Sequence, residues 1–272
     1  MTRTELAARL RAAGIEEYDE EAKRLFCHFS GMSRAAALAE PGADCSAPAL
    51  YAALARREAR EPLAYVLGEA WFYDECYRVS PACLIPRADT ELLVEYAVTH
   101  APQGGRVADL CTGSGCIAIS LLAHRADLRG DAYEISQEAL SLARENATKN
   151  GVSDRLAFYE RDLLTEEPLC ARYDMILSNP PYVTDAEWQT VAPELHHEPT
   201  AAFLGGEDGL RFYRHFIKTF APCLLPGGCF VFEIGFAQAA DLCRLAGEQG
   251  FAPDVQKDYG GRDRMVILTR TD

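Results

Sequence analysis

The feature that most limits the fold of this 272-residue chain is an alternation of apolar, strand-like runs with helical segments that starts at Arg106. Such alternation is typical of a parallel sheet with helices on both faces, so we predict an α/β fold. The last two predicted strands are joined through Gly260-Gly261 and form an antiparallel hairpin. The predicted strands are residues 107–110, a run ending at Glu134, 156–160, 173–178, 230–234, 254–257 and 265–269, and the predicted helices are 116–124, 136–150, 210–220 and 237–249, with a turn at 224–228.

The segment before this alternation contains only helical patterns. Ala22, Leu25, Phe26 and Phe29 follow the i, i+3, i+4, i+7 spacing of one apolar helix face. We therefore predict a small helical domain at residues 1–70, a hairpin-like linker rich in aromatic residues and prolines at 71–87, and a second domain at 88–272. Asp89 or Thr90 is predicted to cap the first helix of that second domain.

Composition limits the classes of partner. The net charge of −14 disfavours a duplex-DNA binder, which usually shows a basic face, so we expect no stable nucleic-acid binding. Ten cysteines without a Cys-x-x-Cys pair fit a reduced, cytoplasmic compartment. No apolar stretch is long enough to cross a membrane, and no second His or Cys cluster accompanies His196 and His197, so neither a membrane nor a metal is expected.

The loop after the first predicted strand indicates an adenosine ligand. Gly113 and Gly115 let the backbone approach a ligand closely. Glu134, 19 residues after Gly115 and at the end of the second strand, suits hydrogen bonds to ribose hydroxyls. Asp162 lies near the end of the third strand. Together, the glycine loop, Glu134 and Asp162 fit an adenosine ligand.

The details of this loop favour one adenosine ligand. The dinucleotide pattern G-x-G-x-x-G fails because Ala118 stands at its last position, and no Lys-Ser or Lys-Thr pair marks a P-loop. Asp109 precedes the loop, where an acid repels a pyrophosphate but suits the ammonium group of S-adenosylmethionine. The pattern therefore favours a methyltransferase over a nicotinamide enzyme, and the terminal antiparallel hairpin agrees with this choice.

A second motif, Asn179-Pro180-Pro181-Tyr182, follows the fourth predicted strand. The prolines cannot continue the strand, Asn179 offers an acceptor and an NH2 donor, and Tyr182 offers a flat ring. Such a corner can hold a planar NH2 group by two acceptors and a stacked ring. A plain Pro-Pro turn is the alternative, and the methyl-donor site upstream favours the catalytic interpretation.

The loop at residues 109–115, the Asn-Pro-Pro-Tyr motif and several other segments resemble the release-factor glutamine methyltransferases (the PrmC/HemK family). The resemblance covers nearly everything from Glu61 to the C-terminus. The Asn-Pro-Pro-Tyr motif alone is shared with amino methyltransferases of DNA, whereas the Leu-Ile-Pro-Arg segment and the Gly-Arg-Asp-Arg hairpin are far more specific. The matching motifs are Glu61-Pro62 with Tyr65 and Gly68, Leu84–Arg87 with Thr90-Glu91, 109–115, 179–182, Glu198-Pro199, Gly205-Gly206, 208–210, 226–228, 233–235, Gln238 and Asp258 with 260–264.

The resemblance implies a seven-stranded, Rossmann-like, S-adenosylmethionine-dependent methyltransferase domain behind a helical domain that docks the substrate. It implies methylation of the side-chain amide of the glutamine in the Gly-Gly-Gln motif of peptide chain release factors. By motif match, the corner of residues Asn179, Pro180, Pro181 and Tyr182 is expected to act in catalysis and, with Arg87, to bind substrate. The expected cofactor-binding residues are Asp109, Cys111, Thr112, Gly113, Ser114, Gly115, Glu134, Asp162, Leu163 and Asn179.

The chain departs from the family pattern at four positions. Cys111 stands where the loop often begins with glycine, so this position is expected not to need a positive φ. Leu163 replaces an aromatic residue that some relatives place against the adenine, which is expected to weaken cofactor affinity. Ala88 replaces a proline and Asp74 replaces a glycine.

Three alternatives remain open at this stage. A related activity on a glutamine of a ribosomal protein shares most of the motifs. Methylation of DNA amino groups requires base flipping and a basic groove, which the charge disfavours. A non-catalytic adenosine-binding module would not need the intact corner. For Arg87, a substrate or lid role and a simple ion pair with an acid are equally weighted.

Overall fold

The computed structural model describes residues 1–168 and 171–271, and these form two compact units. The first unit comprises Met1–Glu69 and Ala192–His197, and the second comprises Ala70–Val191 and Glu198–Asp272. The division near residue 70 lies close to the predicted domain boundary. The predicted linker, residues 71–87, belongs to the second unit, whereas a short segment from the middle of the second predicted domain groups with the first unit.

The first unit is a small bundle of helices around its own apolar core. In the helix that carries the predicted apolar face, Ala22, Leu25 and Phe26 are buried, and Phe29 packs at the edge of the core. Gly31 ends this helix in the left-handed conformation with φ 70°. The helices are α1 (Arg3–Ala12), α2 (Tyr18–Ser30), α3 (Arg34–Ala39), α4 (Pro48–Glu58) and α5 (Leu63–Leu67).

A buried arginine explains why residues 192–197 belong to this bundle. Arg57 on α4 donates to Glu21 on α2 at 2.7 Å and to Glu194 at 3.3 Å. Arg60 forms a second ion pair with Glu194 at 2.7 Å. Because the Arg57 side chain is almost fully buried, its charge requires these acidic partners.

The second unit alternates strands and helices as predicted. Its strands are β1 (Glu69–Phe72), β2 (Glu75–Arg78), β3 (Arg106–Leu110), β4 (Arg129–Glu134), β5 (Leu156–Glu160), β6 (Tyr173–Ser178), β7 (Val183–Thr184), β8 (Leu204–Gly206), β9 (Leu224–Glu233), β10 (Phe251–Lys257) and β11 (Asp263–Arg270). Its helices are α6 (Glu91–His100), α7 (Cys116–His124), α8 (Gln137–Lys149), α9 (Asp185–Trp188), α10 (Arg211–Phe220) and α11 (Ala239–Glu248).

Seven of these strands form one sheet in the order β10-β11-β9-β6-β3-β4-β5. Strands β9, β6, β3, β4 and β5 are parallel, whereas β11 is antiparallel to β9 and β10 is antiparallel to β11. The α/β prediction, the seven strands and the terminal antiparallel hairpin are therefore confirmed. Two small sheets, β1-β2 and β7-β8, accompany the main one.

Each face of the sheet is covered by an apolar cluster. Val107 on β3 packs in the cluster that includes residues of α6, α7 and α8, and its neighbour Ala108 packs in the cluster that includes residues of α10 and α11. Successive strand residues point to opposite faces, so a strand buried on both sides reads as a continuous apolar run. This arrangement leaves the strand ends as the place for polar chemistry.

Two local predictions need correction. The turn predicted at 224–228 lies within β9, where the register with β6 shifts between Tyr173 and Met175. Gly228 fits there because a Cβ would lie 3.0 Å from the Asp174 carbonyl oxygen. Thr90 precedes α6 but makes no capping hydrogen bond with its side chain, because its hydroxyl group is bonded elsewhere.

Within residues 1–168 and 171–271, no helix has the length and apolar composition needed to cross a membrane. The same residues contain no group of three His, Cys, Asp or Glu side chains placed to hold a metal ion. Of the nine described cysteines, five are buried and four are half-buried, which is typical of cysteines that serve as small packing residues.

Candidate active site

A cavity of about 310 Å³ lies at the carboxyl ends of three neighbouring parallel strands. The register aligns the last residue of β3 with the ends of β4 and β6. Cys111, Glu134 and Asn179 therefore come together, and all three line the cavity. Ligands of open α/β sheets bind at this end of the strands. The topology thus brings the predicted cofactor loop and the predicted catalytic corner to one cavity.

Cys111 begins the loop in the left-handed conformation, with φ 62°. The expectation that this position does not need a positive φ is wrong. The chain must turn sharply from β3 into α7, and hydrogen bonds from Thr112 N to the Tyr133 carbonyl (2.9 Å) and from Gly115 N to the Thr112 carbonyl (2.8 Å) fix the turn. A residue with a side chain adopts this conformation at a cost in free energy. Burial also raises the pKa of the Cys111 thiol well above its usual value, so the thiol is not a nucleophile.

Gly115 is required by both conformation and space. Its φ is 83°, and a Cβ at this position would lie 2.6 Å from Ile119 Cδ1 and 3.3 Å from Ala143 Cβ. The glycine therefore allows α7 to begin close against its own first turn and against α8.

Glu134 connects the loop to the end of β4. Its Oε2 accepts a hydrogen bond from Gly113 N at 2.9 Å, and its Oε1 accepts from Ile135 N at 2.9 Å and Ser136 N at 3.1 Å. A carboxylate has about four acceptor positions, so this side chain retains acceptor capacity. Because Glu134 also lines the cavity, it is able to accept hydroxyl groups of a ligand.

Asp109 lies on β3, two residues before Cys111, and is fully buried. Its Oδ2 accepts from Thr112 Oγ1 at 2.6 Å and from Ala118 N at 3.3 Å. Its Oδ1 has no hydrogen-bond partner among the described residues. Burial raises the pKa of this carboxyl to about 7. An incompletely satisfied buried acid is costly, and a nearby cation would stabilise its charged form.

Six predicted cofactor residues lie outside the described cavity wall: Asp109 and Gly115, whose surroundings are given above, and Asp162, Leu163, Thr112 and Ser114. Asp162 accepts from Leu164 N at 3.0 Å and from Thr165 Oγ1 at 2.8 Å, so its side chain organises the turn after β5. Leu163 is buried in the apolar cluster beside α10. Thr112 and Ser114 are buried within the loop. The structure therefore brings Cys111, Gly113, Glu134 and Asn179 to the cavity, and the roles predicted for the other residues remain predictions.

The Asn-Pro-Pro-Tyr corner follows β6 without interruption. Pro180 and Pro181 are buried, whereas Asn179 and Tyr182 are half-buried. Asn179 and Pro181 line the cavity. The amide of Asn179 donates from Nδ2 to Thr90 Oγ1 at 3.1 Å. Among the described residues, no hydrogen bond is made to its Oδ1, which remains available as an acceptor.

The backbone of the corner packs against two glycines, one on β8 and one in the loop that follows β8. A Cβ on Gly205 would lie 2.7 Å from both the Pro181 carbonyl oxygen and Tyr182 Cα. A Cβ on Gly209, whose φ is 70°, would lie 2.3 Å from the Tyr182 carbonyl oxygen. Gln238 Nε2 donates to that same carbonyl at 3.0 Å. The corner is therefore held by close backbone packing that a larger residue would prevent.

A buried acid supports the side chains of the corner. Glu233, the last residue of β9, accepts from Tyr182 OH at 3.2 Å through Oε1 and from Thr90 Oγ1 at 2.5 Å through Oε2. Burial raises the pKa of Glu233 to about 7. Burial also raises the pKa of Tyr182, so its hydroxyl group stays protonated and donates.

Arg87 forms an ion pair with the buried acid Glu198, which also accepts from Ile85 N at 2.9 Å. The ion-pair alternative for Arg87 is therefore confirmed. Pro199, which follows Glu198 directly, lines the cavity. This pairing ties the segment 84–87 to the cavity wall. Arg87 does not line that wall, and a direct contact with substrate remains a prediction.

Sequence reasoning gave no role at the site to Glu198 or Glu233, and it assigned Thr90 only as a possible helix cap. One signal was present for Glu233, because an acid ends the apolar run of β9 just as Glu134 ends β4. The same rule that selected Glu134 would have selected Glu233. Thr90 and Glu198 lie in loops far from their partners along the chain, so no spacing rule could identify them.

Comparison with known families agrees with this geometry. The family model described as "Methyltransferase small domain" matches residues 88–204, and that described as "PrmC N-terminal domain" matches residues 2–68. A crystal structure of a methyltransferase from Pyrococcus furiosus superposes with a TM-score of 0.54 at 16% identity, covering 71% of this chain and 88% of that chain. This likeness supports the fold alone.

Curated relatives are more similar. The release factor glutamine methyltransferase of Nitratidesulfovibrio vulgaris is 36% identical over 278 residues, which cover 96% of this chain and 92% of the relative. That of Cereibacter sphaeroides is 40% identical over 263 residues, with 95% and 93% coverage. With similarity of this extent over nearly the whole chain, the protein belongs to the release factor glutamine methyltransferase family.

Proposed function

We propose that this protein transfers the methyl group of S-adenosylmethionine to the side-chain amide nitrogen of the glutamine in the Gly-Gly-Gln motif of peptide chain release factors. The observation that carries the proposal is the free acceptor of Asn179 at a cavity that also contains the carboxylate of Glu134. The two family models and the curated relatives support the same activity. Because the proposed substrate belongs to the translation machinery, we also propose a cytoplasmic location.

The residues around the loop fit an adenosine ligand that carries an ammonium group. Glu134 retains acceptor capacity for ribose hydroxyls, and the glycine loop leaves its backbone open to the ligand. Asp109 has an unpartnered oxygen that favours a positive charge. S-Adenosylmethionine, when bound, supplies an electrophilic methyl group on a sulfonium. Asp162 and Leu163 are proposed to complete the adenine side.

The corner suits a substrate amide, whose nitrogen is a weak nucleophile. The nitrogen lone pair of glutamine is conjugated with its carbonyl group, so rate depends mainly on orientation. We assign Asn179 Oδ1 and the Pro180 carbonyl oxygen as acceptors for the two amide hydrogens, and the Tyr182 ring as the stacking surface. No general base is assigned, because the nitrogen becomes strongly acidic once it is methylated and loses its proton afterwards.

We also propose that the first helical unit docks the protein substrate. A family model for this domain matches it, and it contributes no residue to the described cavity wall. A protein shortened to begin at Ala70 is expected to bind S-adenosylmethionine and to methylate a short Gly-Gly-Gln peptide, but to lose turnover on a folded release factor. Equal turnover of the shortened and full-length proteins on the folded factor would contradict docking.

Methyl transfer itself is tested with labelled S-adenosylmethionine. The full-length protein is incubated in parallel with a release factor, a large ribosomal subunit and DNA. Label is expected on the release factor alone. The matched control is the same factor with the motif glutamine replaced by glutamate, which should accept no label. Label on the ribosomal subunit or the DNA instead would assign the activity to one of the alternatives.

A further inference from the structure

We infer that Thr90 and Glu233 are positioning residues that decide which atom of the Asn179 amide faces the substrate. This inference rests on the proposed function, because it concerns the acceptor assigned to Asn179. Neither residue lines the cavity. Their side chains act through Asn179, from one and two hydrogen bonds away.

The three side chains form a chain of hydrogen bonds that runs out of the protein interior. Thr90 and Glu233 are 2% and 1% exposed, so water does not compete for their bonds. Glu233 accepts from Thr90 and from Tyr182, and Thr90 accepts from Asn179 Nδ2. The chain therefore begins at a buried carboxylate and ends at the cavity.

Counting hydrogens gives the direction of this chain when Glu233 is ionised. Its carboxylate then only accepts, so the single hydroxyl hydrogen of Thr90 points to Glu233. Thr90 Oγ1 then offers only lone pairs to Asn179, and only the NH2 end of the amide can face it. The Oδ1 end must turn the opposite way. An amide rotated by half a turn would place two acceptors against each other in a buried site.

This direction matches the chemistry of the proposed substrate. A glutamine amide presents two N–H donors at its nitrogen, and an acceptor on Asn179 binds one of them. A rotated Asn179 would present NH2 to NH2 and would hold the substrate nitrogen poorly. Glu233 thus determines, through Thr90, that the oxygen of the Asn179 amide faces the substrate, although Glu233 itself does not contact the substrate.

The surroundings of Glu233 support a positioning role over simple packing. Among the described residues it forms no ion pair, because the nearby Arg264 pairs with Asp89 and Asp258, and its two side-chain hydrogen-bond partners are neutral hydroxyl groups. An apolar side chain would fill such a site without the cost of a buried charge. An acid retained there serves the hydrogen bonds that it accepts.

The experiment compares Thr90→Val, which keeps the shape and loses the hydroxyl group, with Thr90→Ser, which keeps the hydroxyl group. Single-turnover methylation of a release factor is measured with cofactor and substrate saturating. Thr90→Val should lower the rate by roughly tenfold to a hundredfold, since small misplacements carry such penalties. Thr90→Ser should restore most of the rate. Calorimetric affinity for S-adenosylmethionine should be similar in both variants.

A double variant separates positioning from a general structural effect. If Thr90 acts only through Asn179, Thr90→Val should add no further loss in an Asn179→Ala background. Equal rates for the Val and Ser variants, or losses that multiply in the double variant, would overturn the inference. Thr90→Ala gives the same comparison if the Val variant is insoluble. Failure of the unmodified protein to label the release factor would instead reject the proposed function.

Discussion

The two sides of the cavity each bury one acid, and the two acids are satisfied differently. Asp109 on the loop side has one oxygen without a partner among residues 1–168 and 171–271, whereas both oxygens of Glu233 on the corner side accept hydrogen bonds. Burial raises the pKa of each to about 7. The difference indicates that the protein alone satisfies the buried acid of the corner, whereas it leaves one oxygen of the buried acid of the loop unsatisfied.

The two sides also differ in how they are held. Glu134 supports the loop from the next strand along the chain, through one hydrogen bond from Gly113 N, and its other oxygen accepts from the two backbone N–H groups that follow β4. The corner depends on Thr90, Gly205, Gly209 and Glu233, which come from both directions along the chain. We expect substitutions at the loop to change cofactor affinity, and substitutions at the corner to change turnover.

The largest effect is expected for Asn179→Ala, which deletes the acceptor at the corner. Single-turnover transfer to a release factor, at saturating S-adenosylmethionine, should fall by on the order of a hundredfold or more, because one amide hydrogen is left unheld. A near-normal rate would show that this segment is only a turn. The comparison of the two sides would then be wrong for the corner.

Gly209→Ala tests whether close backbone packing holds the corner. The new Cβ would lie 2.3 Å from the Tyr182 carbonyl oxygen, so the corner must shift. Gly227→Ala is the matched control, because Gly227 has a similar φ of 77° and nothing within 4 Å of the added atom. Urea unfolding should show Gly209→Ala less stable than the control by roughly 2 kcal/mol. Equal stability of the two variants would remove the packing argument.

Glu134→Ala probes the loop side. Loss of hydrogen bonds to ribose hydroxyls should weaken cofactor binding by about tenfold to a hundredfold, or roughly 1.5–3 kcal/mol. Calorimetry measures this affinity directly. Turnover at saturating cofactor should change much less than in Asn179→Ala. Unchanged affinity would exclude Glu134 from the cofactor site.

The smallest effect concerns the dependence of stability on pH. The pKa of Asp109 is about 7 in the folded protein, against 3.8 for an unperturbed group. The folded state therefore holds a proton that the unfolded state has lost, and stability falls as pH rises through about 7. Between pH 6 and pH 8 this acid should lower the free energy of unfolding by about 1.4 kcal/mol.

Asp109→Asn removes that dependence. In urea unfolding without cofactor, the free energy of unfolding of the variant should therefore increase relative to that of the unmodified protein as pH rises from 6 to 8. The contribution of Glu233 cancels in this difference, provided that its neighbours Arg264, Asp89 and Tyr182 are unchanged. Asp127→Asn is the control. The Arg125 side chain and Gly104 N hold the pKa of Asp127 below its usual value, so its effect is constant over this range. A constant difference for Asp109→Asn as well would contradict the raised pKa.

The sequence alone was sufficient for the parallel strands, the glycine loop and Glu134, because the information for each is local. A strand buried on both faces is a continuous apolar run, and an acid at its end is visible in the same run. The helix from Cys116 to His124 and the strand from Leu156 to Glu160 have the predicted bounds for this reason.

The support of the corner could not be predicted in the same way. Thr90 looks like a helix cap, which is the usual role of threonine before a helix, but its hydroxyl group is bonded to Glu233. Cys111 adopts a positive φ because a hydrogen bond from Thr112 N to the Tyr133 carbonyl of β4 helps to fix the turn. Both outcomes depend on contacts between distant segments, which propensity and spacing do not encode.

The glycines at positions 205 and 209 have a consequence for protein engineering. The four residues of the Asn-Pro-Pro-Tyr corner do not form a transferable module, because their backbone fits only against a partner without Cβ atoms. Grafting the motif onto another methyltransferase would require Gly205, Gly209, Gln238 and the acid at the end of β9 to be moved with it. The smallest unit that can be transplanted therefore extends from Thr90 to Gln238.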